Sequence, residues 1–194
     1  MIALINYNAG NTASVENALA DIGADYIVTE RKAEAEQCDK IILPGVGEAS
    51  SAMRRLNDNG IGELLKQTKK PVLGICLGLQ LFGVHSTEGD TYCLGILPYR
   101  VTKFNPAKAK VTHMGWNSVI PSNNNRLFKG IENGKHFYFA NSFFVDLTEY
   151  TTATAYHEKN FTAALQCNNY YGVQFHPEKS GGQGLQLLTN FTKL

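Results

Sequence analysis

The sequence predicts an α/β fold in three layers around a mixed, mainly parallel central sheet. Three observations lead there. Through residues 1–82, short apolar runs alternate with stretches whose apolar residues recur at helical spacing, the pattern of parallel strands covered on both faces. From residue 101 onward the chain turns to β-branched and aromatic runs separated by short turns, which adds an antiparallel portion. The last segment returns to helical spacing. With 194 residues, 43% hydrophobic, 18% charged and a net charge of +1, the chain has apolar material for one domain spanning 1–194. The same numbers exclude a disordered chain and a dedicated nucleic-acid binder.

The elements follow in order. Residues 1–6 read as an apolar strand. Residues 8–11 form a turn whose Asn11 caps a helix carrying Val15, Ala18, Leu19 and Ile22, and Gly23 ends it. A second strand covers 25–28. A third covers 40–43 and runs into Pro44-Gly45-Val46-Gly47. Ala49, Ala52, Met53 and Leu56 mark the buried face of a helix. Pro71 introduces a buried strand over 72–75, and Leu77, Leu81 and Phe82 place a helix directly after it. Strands are predicted at 101–104, 137–145, 151–156, 161–166 and 170–175, and a closing helix carries Leu185, Leu188 and Phe191. No apolar run approaches the roughly 20 residues that span a bilayer. The first residues lack a signal peptide's basic start, and Cys38, Cys76, Cys93 and Cys167 show no Cys-x-x-Cys spacing. A cytoplasmic protein with reduced thiols is expected.

In open α/β sheets, ligands bind beyond the carboxyl ends of the strands, where residues 44–47 and 76 are placed. Gly74-Ile75-Cys76-Leu77-Gly78 sits where a strand becomes a helix, with the logic of a nucleophile elbow that carries cysteine. The helix start favours thiolate, and the Leu77 amide points at an incoming carbonyl. His176-Pro177-Glu178 follows an apolar strand, and residues two apart share a face, so an imidazole and a carboxylate lie side by side. Pro44-Gly45-Val46-Gly47 permits a sharply turned backbone and a second oxyanion donor. Read alone, the three motifs also fit a buried cysteine, a surface His–Glu pair and an ordinary turn. None of the five histidines sits in a ligand cluster, so no metal and no cofactor is expected.

Taken together, Cys76-Leu77-Gly78-Leu79-Gln80, His176-Pro177-Glu178 and Pro44-Gly45-Val46-Gly47 resemble the class I, triad-type glutamine amidotransferases. Four further segments sharpen the resemblance: residues 6–11, His113-Met114-Gly115-Trp116-Asn117, Tyr138-Phe139-Ala140-Asn141-Ser142, and 172–180 ending in His-Pro-Glu-Lys-Ser. They are similar to the glutaminase subunits of imidazole glycerol phosphate synthases, over essentially the whole chain. The resemblance implies hydrolysis of L-glutamine to glutamate and ammonia. The ammonia passes to a (β/α)8-barrel cyclase subunit, which makes imidazole glycerol phosphate and aminoimidazole carboxamide ribotide in histidine biosynthesis. It further implies Cys76 as nucleophile, His176 as base and acid, and Glu178 as its orienting group. The Val46 and Leu77 amides become the oxyanion hole. Gly47, Gln80, Glu88, Ser142 and Phe143 become substrate contacts, and Trp116, Tyr138 and Lys179 face the partner in a heterodimer.

Two segments depart from the family pattern. Asn141-Ser142-Phe143 stands where His-Ser-Tyr or His-Thr-Tyr is usual, and Asn6 and Asn8 replace two residues of the usual opening. Neither change touches the triad. The same glutaminase feeding another acceptor synthase, such as one aminating a surface-polysaccharide sugar, is the alternative. A non-catalytic binding module is disfavoured by the intact Cys76, His176 and Glu178.

Overall fold

The computed structural model describes residues 1–7, 12–122 and 125–194. In chain order the elements are β1 (Ile2–Ile5), α1 (Thr12–Asp21), β2 (Tyr26–Thr29), α2 (Lys32–Ala35), β3 (Lys40–Leu43), α3 (Ala49–Asp58), α4 (Ile61–Gln67), β4 (Val72–Ile75), α5 (Leu77–Leu81), β5 (His85–Ser86) and β6 (Thr91–Tyr92). They continue with β7 (Arg100–Lys103), β8 (His113–Ser118), β9 (Ile120–Pro121), β10 (His136–Asn141), β11 (Phe143–Val145), β12 (Thr151–Tyr156), β13 (Asn160–Cys167), β14 (Tyr170–Val173) and α6 (Gly181–Thr192).

The central sheet runs β2-β1-β3-β4-β14-β13-β12-β9. Its first five strands are parallel, and β13, β12 and β9 are added antiparallel. Successive strand residues face opposite layers. In β1, Ile2 and Leu4 pack with α1 and α6 residues such as Leu19, Leu188 and Phe191, while Ala3 and Ile5 pack with Met53, Leu65 and Leu81 on the α3–α5 side. This is the mixed three-layer architecture the sequence predicts. No helix among the described residues is long and apolar enough to cross a membrane.

Sequence reading and structure part company in a few places. The Asn11 cap and the turn at 8–11 lie outside the described residues. The single strand expected over 137–145 is two strands. β10 pairs with β8 in a separate ribbon, and β11 joins β7 in a small sheet with β5 and β6. Ala140-Asn141-Ser142 interrupts the aromatic run where the partner changes, but three residues between two strand-like stretches are too short to read as a break. β8 went unpredicted because Gly115, Asn117 and Ser118 dilute its strand signal. α2 and α4 are too short to display a helical period.

Close backbone approach fixes the junction of β4 and α5. A Cβ on Gly78 would lie 2.0 Å from the Leu43 carbonyl oxygen, and one on Gly74 would lie 2.7 Å from Leu79 N. Only glycine lets α5 sit directly against the ends of β3 and β4. Gly184 does the same for α6, whose Cβ would lie 1.9 Å from the Pro177 carbonyl oxygen. Gly78→Ala is therefore expected to lower stability by about 2 kcal/mol or more, or to prevent folding. Gly182→Ala, with nothing within 4 Å of its Cβ, is expected to be neutral or stabilising by up to about 1 kcal/mol. Urea unfolding of the two variants measures the contrast.

Candidate active site

Cys76 is the residue between β4 and α5, with φ 54° and ψ −106°. A non-glycine residue held at positive φ is strained, and such strain persists only where the surroundings impose it. Here they do: the Cys76 amide donates to Val173 O on the neighbouring strand at 2.8 Å, and α5 begins at the next residue. The thiol side chain therefore projects from the sheet's carboxyl edge into a cleft of about 250 Å3.

The next parallel strand, β14, brings in the second group. Beyond it, His176 donates its backbone N–H to Tyr138 O at 2.8 Å, and a 310 turn over Pro177–Lys179 carries Glu178 back under the ring. His176 Nδ1 lies 2.7 Å from Glu178 Oε1, with both side chains 3% exposed. An ionised carboxylate only accepts, so Nδ1 carries the proton of that bond and Nε2 is left for the Cys76 side chain, its other hydrogen-bond partner. Burial, the largest influence on the ring, works to lower its pKa. Charge interactions and hydrogen bonds with the Cys76 side chain and the Glu178 carboxylate overcome it and raise the value to about 10.

Every other residue singled out from the sequence for substrate or oxyanion lines this cleft: Val46, Gly47, Leu77, Gln80, Glu88, Ser142 and Phe143. The Leu77 amide donates to Gly45 O at 3.3 Å. The Gly45–Val46 peptide is trans, so its own N–H points the opposite way. Gly45 is tightly enclosed, since a Cβ there would lie 2.6 Å from Tyr7 Oη and 2.7 Å from Leu77 Cβ. Glu88 lies in a 310 turn and accepts the Ala49 amide at 2.9 Å, capping α3. Burial pushes its carboxyl up, against the pull of that amide. The Ser142 carbonyl accepts from the Phe104 amide at 3.0 Å, and its hydroxyl meets Thr112 Oγ1 at 2.7 Å.

Asn141 is buried and donates through Nδ2 to Phe143 O at 2.9 Å. It stands opposite His113 in the β8–β10 ribbon. His113 stacks on Phe139 and His157, and burial, then His157, hold it down at about 4, so it stays neutral. Sequence reasoning missed Gln174, a buried amide whose Nε2 donates to Cys76 Sγ at 3.5 Å. Its signal was a polar residue between Val173 and Phe175 in an otherwise apolar run.

The residues assigned to a partner from the sequence lie on the ribbon and on the 310 turn beside His176. Trp116 is 55% exposed and sits edge-on to Tyr138, with ring centroids 6.1 Å apart. Met114, not assigned to the partner from the sequence, is 68% exposed on the same strand. Lys179 is exposed one residue past Glu178.

The family model for glutamine amidotransferase class-I matches residues 3–194. A protein of Bacteroides thetaiotaomicron named imidazole glycerol phosphate synthase subunit HisH is 44% identical over 195 residues, covering 100% of this chain and 99% of the relative. The chain belongs to the class I glutamine amidotransferases, in the HisH branch. A protein of Pectobacterium atrosepticum with the same name is 42% identical over 194 residues, covering 100% of this chain and 99% of its own. A crystal structure of a glutamine amidotransferase superposes with a TM-score of 0.78 at 16% identity, covering 100% of this chain and 98% of that one. That likeness establishes the class I fold.

The raised pKa of His176 has a consequence for stability. Its folded value of about 10 lies above the ordinary 6.5, so the buried imidazolium stabilises the fold fully below about 6.5. That contribution is lost as pH rises through about 10. The stability gap between the parent and His176→Asn is therefore expected to narrow from pH 6.5 to pH 10 in urea unfolding. A gap that widens with pH contradicts the assignment.

Proposed function

We propose that this chain is the glutaminase subunit of an imidazole glycerol phosphate synthase. It hydrolyses L-glutamine through a thioester on Cys76 and hands the ammonia to a cyclase subunit, as a single-domain cytoplasmic enzyme. The observation that carries this reading is the buried Cys76–His176–Glu178 array at the cleft, in a chain 44% identical over its whole length to a HisH subunit.

The chemistry follows from the geometry. The sequence suggests that His176 takes the thiol proton at the moment of attack. The Cys76 side chain is a hydrogen-bond partner of the ring, whose pKa is raised to about 10, so His176 is placed to take that proton. Cys76 Sγ bonds to the γ-carboxamide carbon, and the carbonyl electrons move to oxygen. His176 Nε2 then protonates the amine as the C–N bond breaks, releasing ammonia. The neutral ring takes a proton from the water that attacks the thioester. Glutamate leaves as the C–S bond breaks, and the Cys76–His176 pair is restored with the one proton it shared at the start. Glu178 keeps Nδ1 protonated and the ring oriented throughout.

The oxyanion belongs to the Leu77 and Val46 amides. As long as Gly45 O accepts from Leu77, one donor is occupied and the other faces away. Rotating the Gly45–Val46 peptide frees the first and turns in the second. A partner that binds the turned state better raises turnover by shifting this equilibrium. The exposed Met114 and Trp116, with Tyr138 and Lys179, supply the face for the (β/α)8 cyclase. Tyr138 is bonded through its backbone to both His176 and Ser180, which links that face to the triad.

In complex with the cyclase, Cys76→Ala is expected to abolish glutamate release while leaving synthesis from added ammonium salts. Val46→Pro removes the second oxyanion donor and also restricts Gly45, and is expected to cost at least about 10²–10³ in stimulated turnover. Glutamate release by Cys76→Ala, or a Val46→Pro enzyme as fast as the parent, contradicts the corresponding role.

A further inference from the structure

Gln174 is 0% exposed, just past β14, with its backbone N–H on Ala163 O at 2.8 Å. Burying an amide is costly unless both of its ends are bonded. Here both are, in a direction set by donor counting. Phe143 O can only accept, and it takes a hydrogen of Gln80 Nε2 at 2.9 Å. The second Gln80 hydrogen then meets Gln174 at 3.0 Å, so Gln174 must present its oxygen there. Its Nε2 is thereby aimed at Cys76 Sγ, 3.5 Å away. The reverse orientation would set two N–H donors against each other.

We infer that Gln174 is a positioning residue for the nucleophile: its Nε2–H hydrogen bond holds the Cys76 sulfur where the His176 ring and the cleft meet, and stabilises that sulfur when it is charged. The inference rests on Cys76 being the nucleophile of the proposed reaction. A thiol is a weak acceptor and a charged sulfur a stronger one, so the bond strengthens in the reactive form. The titratable groups facing the sulfur are His176 beyond β14, Tyr7 beyond β1 and Glu88 across the cleft. Gln174 does not line the cleft, so it acts on the sulfur and not on bound glutamine.

The test uses the full-length chain carrying Gln174→Met, of similar length without a donor, and Gln174→Leu as a second apolar replacement. Alkylation of Cys76 by iodoacetamide is followed from pH 6 to pH 9, with thiolate absorbance near 240 nm taken as the difference from Cys76→Ala. Both variants are expected to alkylate about tenfold more slowly at neutral pH and to recover at higher pH, because an apolar neighbour withholds the bond that favours the charged sulfur. In complex with the cyclase, kcat for glutamine is expected to fall by a similar factor with KM within about twofold. Alkylation and thiolate absorbance at the parental level across the pH range in either folded variant overturn the inference. So does a rise in KM with unchanged alkylation, which assigns Gln174 to Gln80 and the substrate. Glutamine hydrolysis surviving Cys76→Ala would instead overturn the proposed function itself.

Discussion

Everything at this site depends on how closely the backbone of α5 approaches the ends of β3 and β4. At Gly78 the clearance to Leu43 O leaves no room for a single methyl group, and Gly74 is shut in by the same helix. That contact allows the chain to turn from strand to helix within one residue, and Cys76 absorbs the turn at φ 54°. A looser junction would let Cys76 relax to ordinary φ and draw its sulfur away from the cleft. The strain at Cys76 is thus held by packing on both sides, the arrangement expected where a local distortion serves chemistry.

The parallel order of the sheet then settles what meets the sulfur. β14 lies beside β4 in register, Gly172 against Gly74 and Val173 against Ile75, so the segment leaving β14 emerges next to the elbow. Gln174 and His176, two residues apart, both reach the Cys76 sulfur, one by a neutral donor and the other by an ionisable ring. Glu178 completes the array from below and its side chain is as buried as the ring it bonds. Removing one member of such a buried charged pair leaves the other uncompensated, so the group is maintained as a unit. The ribbon of β8 and β10 reaches this unit through Tyr138, which bonds to the His176 backbone.

Much of this was legible in the sequence because it is local. Lys40–Leu43, Val72–Ile75 and Thr151–Tyr156 stand where their apolar and β-branched patterns place them. The elbow and the His-Pro-Glu turn carry their geometry in a few consecutive residues. What escaped is non-local. The division of 137–145 at Ser142 is decided by which strands β10 and β11 find, β8 and β7 respectively, and no periodicity within the segment records that choice. The role of Gln174 depends on Gln80 and Phe143, 94 and 63 residues apart in the two hydrogen bonds concerned. Asn141 departs from the family's histidine, yet it is buried and bonded to Phe143 O, so the position keeps a polar side chain that ties the end of β10 to the start of β11.

The most direct test of Cys76 as the covalent centre is to catch the intermediate. The complex with its cyclase is mixed with glutamine, quenched in acid during steady turnover and digested for mass spectrometry. The expected result is one γ-glutamyl group on the peptide carrying Cys76, absent from the peptides carrying Cys38, Cys93 and Cys167, and lost on standing at alkaline pH as a thioester is. Glutamate release at full rate with no acylated peptide, or with the acyl group on another residue, would contradict the mechanism.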